Sequence, residues 1–183
     1  MASRLEQSGW SAARVRAVAW GGAAALILLP LVAMRLTSDV NWDAADFLFA
    51  IGLVGGVGLM FELALRMSPT RSYRAGVGVA LAAAFLLTWI NLAVGIIGNE
   101  ENPFNLLYFA VMGVAAIGTV AARFRASGMA VAMAAAAAAQ VAVAVVALAG
   151  GLGFTGPITV FFGGLWLISA FLFRKAAGER EPD

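Results

Sequence analysis

Four of the polar side chains inside long apolar stretches of this 183-residue sequence are the first candidates for chemistry. They are Glu62, Thr88, Asn91 and Gln140. A carboxylate in such a place can handle a proton or a cation. Amides and a hydroxyl can instead bind a neutral polar group, or join two helices by hydrogen bonds.

Glu62 lies one helical turn before Arg66, and a Glu-to-Arg pair at this spacing is favourable on a helix. Both long side chains can reach the polar interface from the end of a membrane span. We therefore expect a paired glutamate at the interface. The alternative is a carboxylate that handles protons or cations and pairs with Arg123 or Arg125 instead.

Polar and small residues recur at helical spacing in the third apolar segment. They are Thr88, Asn91, Gly95 and Gly98. This spacing predicts that they share one helix face. An unpaired amide in hydrocarbon costs several kcal/mol, so Asn91 and Gln140 each need a hydrogen-bond partner. Bonds across helices, worth about 0.6–2 kcal/mol each, are the first interpretation. The alternative is that these side chains line a pathway or a pocket.

Acidic residues gather in two polar connections. The candidate cluster is Asp43, Asp46, Glu100, Glu101 and Asn102, with Asp39 beside it. Asn41 is expected to cap the second helix, and Gly98 to end the third. Asn102 is expected to cap the fourth helix, with Pro103 at its first position. Capping does not require Glu100 or Glu101. Oxygen ligands suit Ca²⁺ or Mg²⁺, but neither connection has the spacing of a dedicated site, so we expect solvated acids and no metal.

The residue types that are missing exclude much enzymology. The chain has no Cys and no His, which removes the thiol nucleophile, the commonest general base and the commonest metal ligand. No pair of acids lies within the apolar segments. We therefore expect no enzyme activity and no cofactor.

The elements that must position these residues are membrane-spanning helices. The chain is 62% hydrophobic and 12% charged, and that charge is about half the usual share of a soluble domain. A bilayer core needs about 20 apolar residues per helix. Six segments meet that length: about 17–34, 47–65, 75–97, 104–122, 126–149 and 157–173. They are too long and too uniformly apolar for barrel strands. The expected fold is an all-α, polytopic membrane bundle of six transmembrane helices.

The basic residues predict the orientation. Eleven of the twelve lie in the N-terminal segment, the second and fourth connections and the C-terminal tail, whereas Arg35 lies in the first connection. Lys and Arg are retained on the cytoplasmic side, so we expect both termini to be cytoplasmic. This placement accounts for the net charge of +2 and argues against a nucleic-acid partner. The abundance of Arg and Ala favours the inner membrane of a bacterium.

One membrane domain is expected. A loose basic segment at 1–14 precedes a six-helix transmembrane domain at 15–175, and a polar tail follows at 176–183. The first span resembles a signal-peptide core, but Leu31-Val32-Ala33 is a poor cleavage site, so we expect the span to be retained. Four aromatic residues lie near span ends and are expected to join the interfacial aromatic belt: Trp20, Trp42, Tyr108 and Trp166.

Three stretches carry a resemblance to known proteins: TWINLAVGIIGNEENPFNLLYF, ARFRASGMA and LWLISAFLFRKAA. They resemble a set of small multi-pass bacterial proteins of uncharacterised activity, over most of the chain from about Asn41 onward. The resemblance implies a six-span inner-membrane fold. It implies no activity, cofactor or catalytic residue.

Two functions remain as hypotheses. The first is a non-enzymatic accessory or scaffold protein that packs helices in the lipid bilayer, as a homo-oligomer or with a membrane-protein partner. Small residues such as the Gly52-x-x-x-Gly56 pair motivate it. The second is a small transporter or channel with a polar face on the third and fifth spans and Glu62 at its inner mouth. A weak repeat, YRAGVGVALAAAF and FRASGMAVAMAAAA, motivates it.

Overall fold

The computed structural model describes residues 2–38, 40–67 and 70–179. Within these ranges the chain is all-helical, with 83% of it in helices and no strand. Its helices are α1 (Ala2–Leu36), α2 (Ala44–Met67), α3 (Arg71–Ala93), α4 (Leu106–Ala121), α5 (Ala126–Ala149) and α6 (Gly156–Gly178), and a 3₁₀ turn at Pro103–Asn105 precedes α4.

Five helical segments of the described chain are long and apolar enough to cross a membrane. They are Ala44–Arg66, Arg71–Ala93, Pro103–Ala121, Ala126–Ala149 and Gly156–Gly178, with mean hydropathies between 1.8 and 2.3. The apolar part of α1, Trp20–Leu36, is shorter. The prediction of an all-helical protein with several apolar spans is therefore confirmed. A sixth span at 17–34 and the positions of the termini stay predictions.

The third helix ends earlier than its apolar composition predicts. α3 stops at Ala93 rather than at residue 97, because Gly95 and Gly98 adopt positive φ angles of 69° and 72°. A Cβ atom at Gly95 would collide with the backbone carbonyl of Asn99. The prediction that Gly95 and Gly98 continue a helix face with Asn91 was therefore wrong, as was the prediction that Gly98 ends the helix.

The chain divides into two compact units, residues 1–60 and 61–183. In the first unit, α1 approaches α2 at Gly58, where the ring of Trp20 comes within 2.9 Å of the position a Cβ would occupy. That position can therefore hold no larger residue without a shift of the indole.

The second unit is built on α3 to α6. α3 packs against α6, α6 against α5 and α5 against α4. Large side chains less than 2% exposed fill its centre: Leu87, Tyr108, Phe162, Trp166 and Phe173. Tyr108 and Trp166 therefore belong to the core, and the prediction that they sit in an interfacial belt was wrong. Proximity to a span end in the sequence does not say which side of the helix faces the bundle.

Tyr73 stabilises the end of this unit where α3 begins. Its ring packs edge-on against Phe173 at a centroid distance of 5.3 Å. Its hydroxyl donates to the carbonyl oxygen of Phe124 at 3.0 Å, with the Met129 sulfur 3.2 Å away. Phe124 and Arg123 have positive φ angles of 58° and 49°, which are costly for residues with side chains. The Tyr73 hydrogen bond supports this turn between α4 and α5.

Candidate functional site

The polar connection between α3 and α4 is organised by one buried amide, Asn105. Its Oδ1 accepts hydrogen bonds from the backbone N–H groups of Ile96 at 3.0 Å and Ile97 at 2.8 Å. Its Nδ2 donates to the carbonyl oxygen of Asn99 at 2.6 Å. The side chain thus satisfies three backbone groups of a segment that forms no regular helix.

Local sequence explains how Asn105 reaches this position. Asn102 precedes the 3₁₀ turn, and its Oδ1 accepts from the N–H of Phe104 at 3.0 Å, while Pro103 takes the first position of the turn. Asn102 was predicted to cap the fourth helix; it caps the 3₁₀ turn directly before α4, with Pro103 at the first position, whereas α4 itself begins after Asn105. Asn105 also donates its own N–H to the carbonyl oxygen of Asn102 at 3.0 Å. The sequence analysis did not single out Asn105, because an asparagine three residues after a capping asparagine looks like another turn residue.

Asn91 connects α3 to this turn. It is 2% exposed, and its Nδ2 donates to the carbonyl oxygen of Asn105 at 3.0 Å. The predicted hydrogen bond to another segment therefore exists. Its Oδ1 is buried and has no hydrogen-bond partner among the described residues. The Nδ2 group of Asn91 therefore joins α3 to the turn, whereas its Oδ1 atom makes no such bond to a described residue.

Two hydroxyls lie buried at the same end of the bundle. Tyr108 is one helical turn beyond Asn105 on α4, and Thr155 is the residue immediately before α6. Among the residues that the structure describes, neither hydroxyl oxygen has a hydrogen-bond partner. Thr155 was not singled out from the sequence.

Gln140 and Trp166 carry buried polar side-chain atoms further from this end of the bundle. Gln140 is fully buried, and neither its Nε2 nor its Oε1 has a hydrogen-bond partner in the described chain. The bond across helices predicted for Gln140 is therefore not formed. The Trp166 Nε1 is likewise buried without a partner in that chain. A turn connects the end of α5 to the start of α6. At 1.5 Å per residue along each helix, Gln140 and Trp166 both lie roughly 14–15 Å from the helix ends at this turn.

The hydroxyl of Thr88 forms a hydrogen bond within its own helix. Its hydroxyl donates to the carbonyl oxygen of Ala84, one turn earlier on α3, at 2.8 Å. The Met112 sulfur of α4 lies 3.0 Å from the same oxygen. Thr88 therefore acts as a packing residue between α3 and α4.

Glu62 makes the ion pair that its spacing predicts. One of its carboxylate oxygens lies 3.8 Å from an Arg66 guanidinium nitrogen. The Glu62 side chain is 22% exposed and that of Arg66 is 75% exposed, so the pair is solvent-accessible and contributes at most about 1 kcal/mol. Arg74 contacts the same end of α2 by donating to the carbonyl oxygen of Leu65 at 3.0 Å.

Asp43 and Asp46 of the first unit cap the start of α2. Asp43 Oδ1 accepts from the N–H groups of Ala45 at 2.7 Å and Asp46 at 3.0 Å, and Asp46 Oδ2 accepts from the Asp43 N–H at 2.9 Å. This is a reciprocal capping box. The prediction that Asn41 caps α2 was therefore wrong, because the helix begins at Ala44 and Asp43 precedes it directly.

The two acids of the connection between α3 and α4 are exposed. Glu100 and Glu101 lie on the surface of the turn before α4, and Asp39 lies outside the described residues. Among the described residues, no three acidic, His or Cys side chains are placed to hold a metal ion. Among the described residues, the structure thus places Asp43 with Asp46 and Asn91 with Asn105.

The described helices define a class: an all-helical protein whose apolar helices suit a multi-pass membrane protein. No family model, curated protein or solved structure matches the chain. The resemblance to small multi-pass bacterial proteins therefore stays a prediction. The buried amides, hydroxyls and indole can hydrogen-bond a neutral polar molecule, which is the chemistry the site offers.

We expect Asn105→Ala to lower the free energy of unfolding by about 2–4 kcal/mol, because it leaves buried backbone groups of the turn without a partner. Hydrogen exchange at the Ile96 and Ile97 amides should accelerate in parallel. Asn99→Ala is the matched control, since the Asn99 side chain is exposed and its carbonyl, which Asn105 contacts, is retained. Detergent-micelle unfolding and exchange mass spectrometry measure both. Equal effects of the two substitutions would contradict the organising role of Asn105.

Proposed function

We propose that the chain is a non-enzymatic, multi-pass protein of a bacterial inner membrane that acts by associating with a second copy of itself as an accessory or scaffold. The observation that carries this proposal is an open apolar groove of about 580 Å³ along α4 and α5. The basic residues at one set of helix ends support an orientation with both termini in the cytoplasm.

Small residues make the groove. A Cβ at Gly118 would lie 2.6 Å from the Cβ of Ala132, and a Cβ at Gly128 would lie 2.6 Å from that of Ala122. The backbones of α4 and α5 therefore approach closely and leave a shallow floor between them. In a bilayer, apolar burial contributes little to the association of helices. A shallow surface of small residues instead lets a further helix pack closely and gain dispersion contacts.

A second copy is the occupant that the shape of this surface supports. Ile117 and Val131 line the same groove and are 72% and 69% exposed. A two-fold interface needs a surface that is complementary to itself. A ridge of β-branched side chains beside a floor of glycine and alanine provides both halves, because the ridge of one copy can fill the floor of the other.

We expect Ala135→Leu to weaken this association about tenfold or more, since Ala135 lines the groove and is exposed, and about 1.4 kcal/mol of lost packing suffices. Ala138→Leu is the control, because it adds the same bulk at an exposed position of α5 outside the groove. Photobleaching step counts in lipid bilayers, at several protein-to-lipid ratios, measure the dimer fraction. A monomeric parent, or equal dimer fractions in the two variants, would refute the proposal.

A small transporter or channel is a second proposal, favoured by the unpaired amide of Gln140 in the middle of α5. Such an amide could hydrogen-bond a small neutral solute in transit. On this proposal, proteoliposomes take up urea or glycerol faster than protein-free liposomes, and Gln140→Leu abolishes the difference while Ala138→Leu does not. Uptake at the protein-free rate, or uptake unchanged in Gln140→Leu, would exclude it.

A further inference from the structure

One end of the second unit carries five exposed basic side chains, which we call the basic rim. They are Arg71 at the start of α3, Arg123 and Arg125 in the turn between α4 and α5, and Arg174 and Lys175 near the end of α6. None of them forms an ion pair with an acid among the described residues. Like charges gathered at one end of a bundle repel one another, so the rim suits an anionic partner.

Contacts of Tyr73 hold the residues of the rim at the same end. The Tyr73 hydroxyl donates to the carbonyl oxygen of Phe124 at 3.0 Å, and a residue of the rim flanks Phe124 on each side in the chain. The Tyr73 ring packs against Phe173 at a centroid distance of 5.3 Å, and two further residues of the rim follow Phe173 directly. Basic groups from three parts of the chain therefore surround one buried ring.

Two acids of the second unit lie at this end among the described residues, and both contact other side chains. A Glu62 carboxylate oxygen lies 3.8 Å from an Arg66 guanidinium nitrogen. Glu179 Oε1 accepts a hydrogen bond from the Ser72 hydroxyl at 2.6 Å, which joins the end of α6 to the start of α3. The charge of the rim is therefore not neutralised by ion pairs within the described chain.

Exposed apolar side chains lie directly beside the rim. On α6, Phe171 is exposed and precedes Lys175 by one helical turn, and residues at this spacing share a helix face. On α4, Val120 is exposed in the last turn, shortly before Arg123. Phe124 is also exposed. A basic group beside an exposed apolar one matches the phosphate and the acyl chains of a phospholipid, whereas a free phosphate or a nucleic acid would use the charge alone.

We propose that the basic rim is a binding surface for the headgroups of anionic phospholipids. Its guanidinium and ammonium groups donate charge-assisted hydrogen bonds to phosphate oxygens, and basic groups at the ends of membrane helices are suited to this contact. The neighbouring apolar side chains contact the acyl chains of the same lipid. The proposal rests on the membrane location proposed above, but it does not depend on association between copies.

Native mass spectrometry of the full chain in detergent micelles, titrated with phosphatidylglycerol, measures the dissociation constant of the first bound lipid. We expect phosphatidylglycerol to bind more tightly than phosphatidylcholine. Arg125→Gln should raise the dissociation constant for phosphatidylglycerol about fivefold, which is what one basic group near an anionic surface contributes. Arg125→Lys retains the charge and should retain the affinity.

Arg35→Gln is the matched control, because it changes another exposed arginine in the same way but lies outside the rim. It should leave the dissociation constant unchanged. Equal affinities for the two lipids, or equal effects of Arg125→Gln and Arg35→Gln, would refute lipid binding at the rim. Glycerol phosphate, a headgroup without acyl chains, should bind much more weakly than the whole lipid. Equally tight binding would identify a soluble anion as the ligand and overturn the proposal.

Flotation with lipid vesicles tests the membrane location separately. We expect the full chain to float with the vesicles. A chain that stays in the dense fraction would refute the membrane location and the lipid-binding rim with it. A chain that floats but shows no preference for phosphatidylglycerol would refute the rim proposal alone.

Discussion

Hydrocarbon offers no hydrogen-bond partners, and every polar group that these helices carry into apolar surroundings must be satisfied from within. Helical backbone meets most of the requirement. At the end of the second unit where α3 stops, Asn105 supplies the bonds that an irregular turn lacks. Near the start of α3, Tyr73 does the same for the turn at Phe124. Some buried polar atoms, such as those of the Gln140 amide, have no partner among the described residues, and an open apolar groove lies along α4 and α5.

Much of the fold follows from composition and span length. Long runs without charge predicted the helices, and the predicted fifth span, 126–149, coincides with α5. The α3 boundary could not be read in this way, because Val94, Ile96 and Ile97 are as apolar as the helix before them. That helix stops before Gly95 and Gly98, which adopt positive φ angles. Asn105 then accepts hydrogen bonds from the amides of Ile96 and Ile97 in the segment that follows. Apolarity reports what can enter a membrane, not where a backbone turns.

The site was predictable in part. Asn91 and Gln140 stand out as amides among aliphatic residues, and Asn102 before Pro103 is a recognisable cap. Tyr108 and Thr155 give no such signal, since a tyrosine near a span end and a threonine before a helix have common interfacial and capping roles. Their importance comes from which side of each helix is buried, which depends on packing between α3, α4 and α6. The sequence pattern also favoured Asn41 over Asp43 as the cap of α2, although α2 begins directly after Asp43.

The central claim is that the chain crosses the membrane repeatedly, with α4 separating two exposed turns. Because the chain has no Cys, single substitutions can report the side of each turn. Glu101→Cys and Arg125→Cys change exposed positions at opposite ends of α4. An impermeant maleimide applied to spheroplasts should label Glu101→Cys directly, and Arg125→Cys only after permeabilisation. Equal labelling of both before permeabilisation, or recovery of the protein in the soluble fraction, would contradict the account.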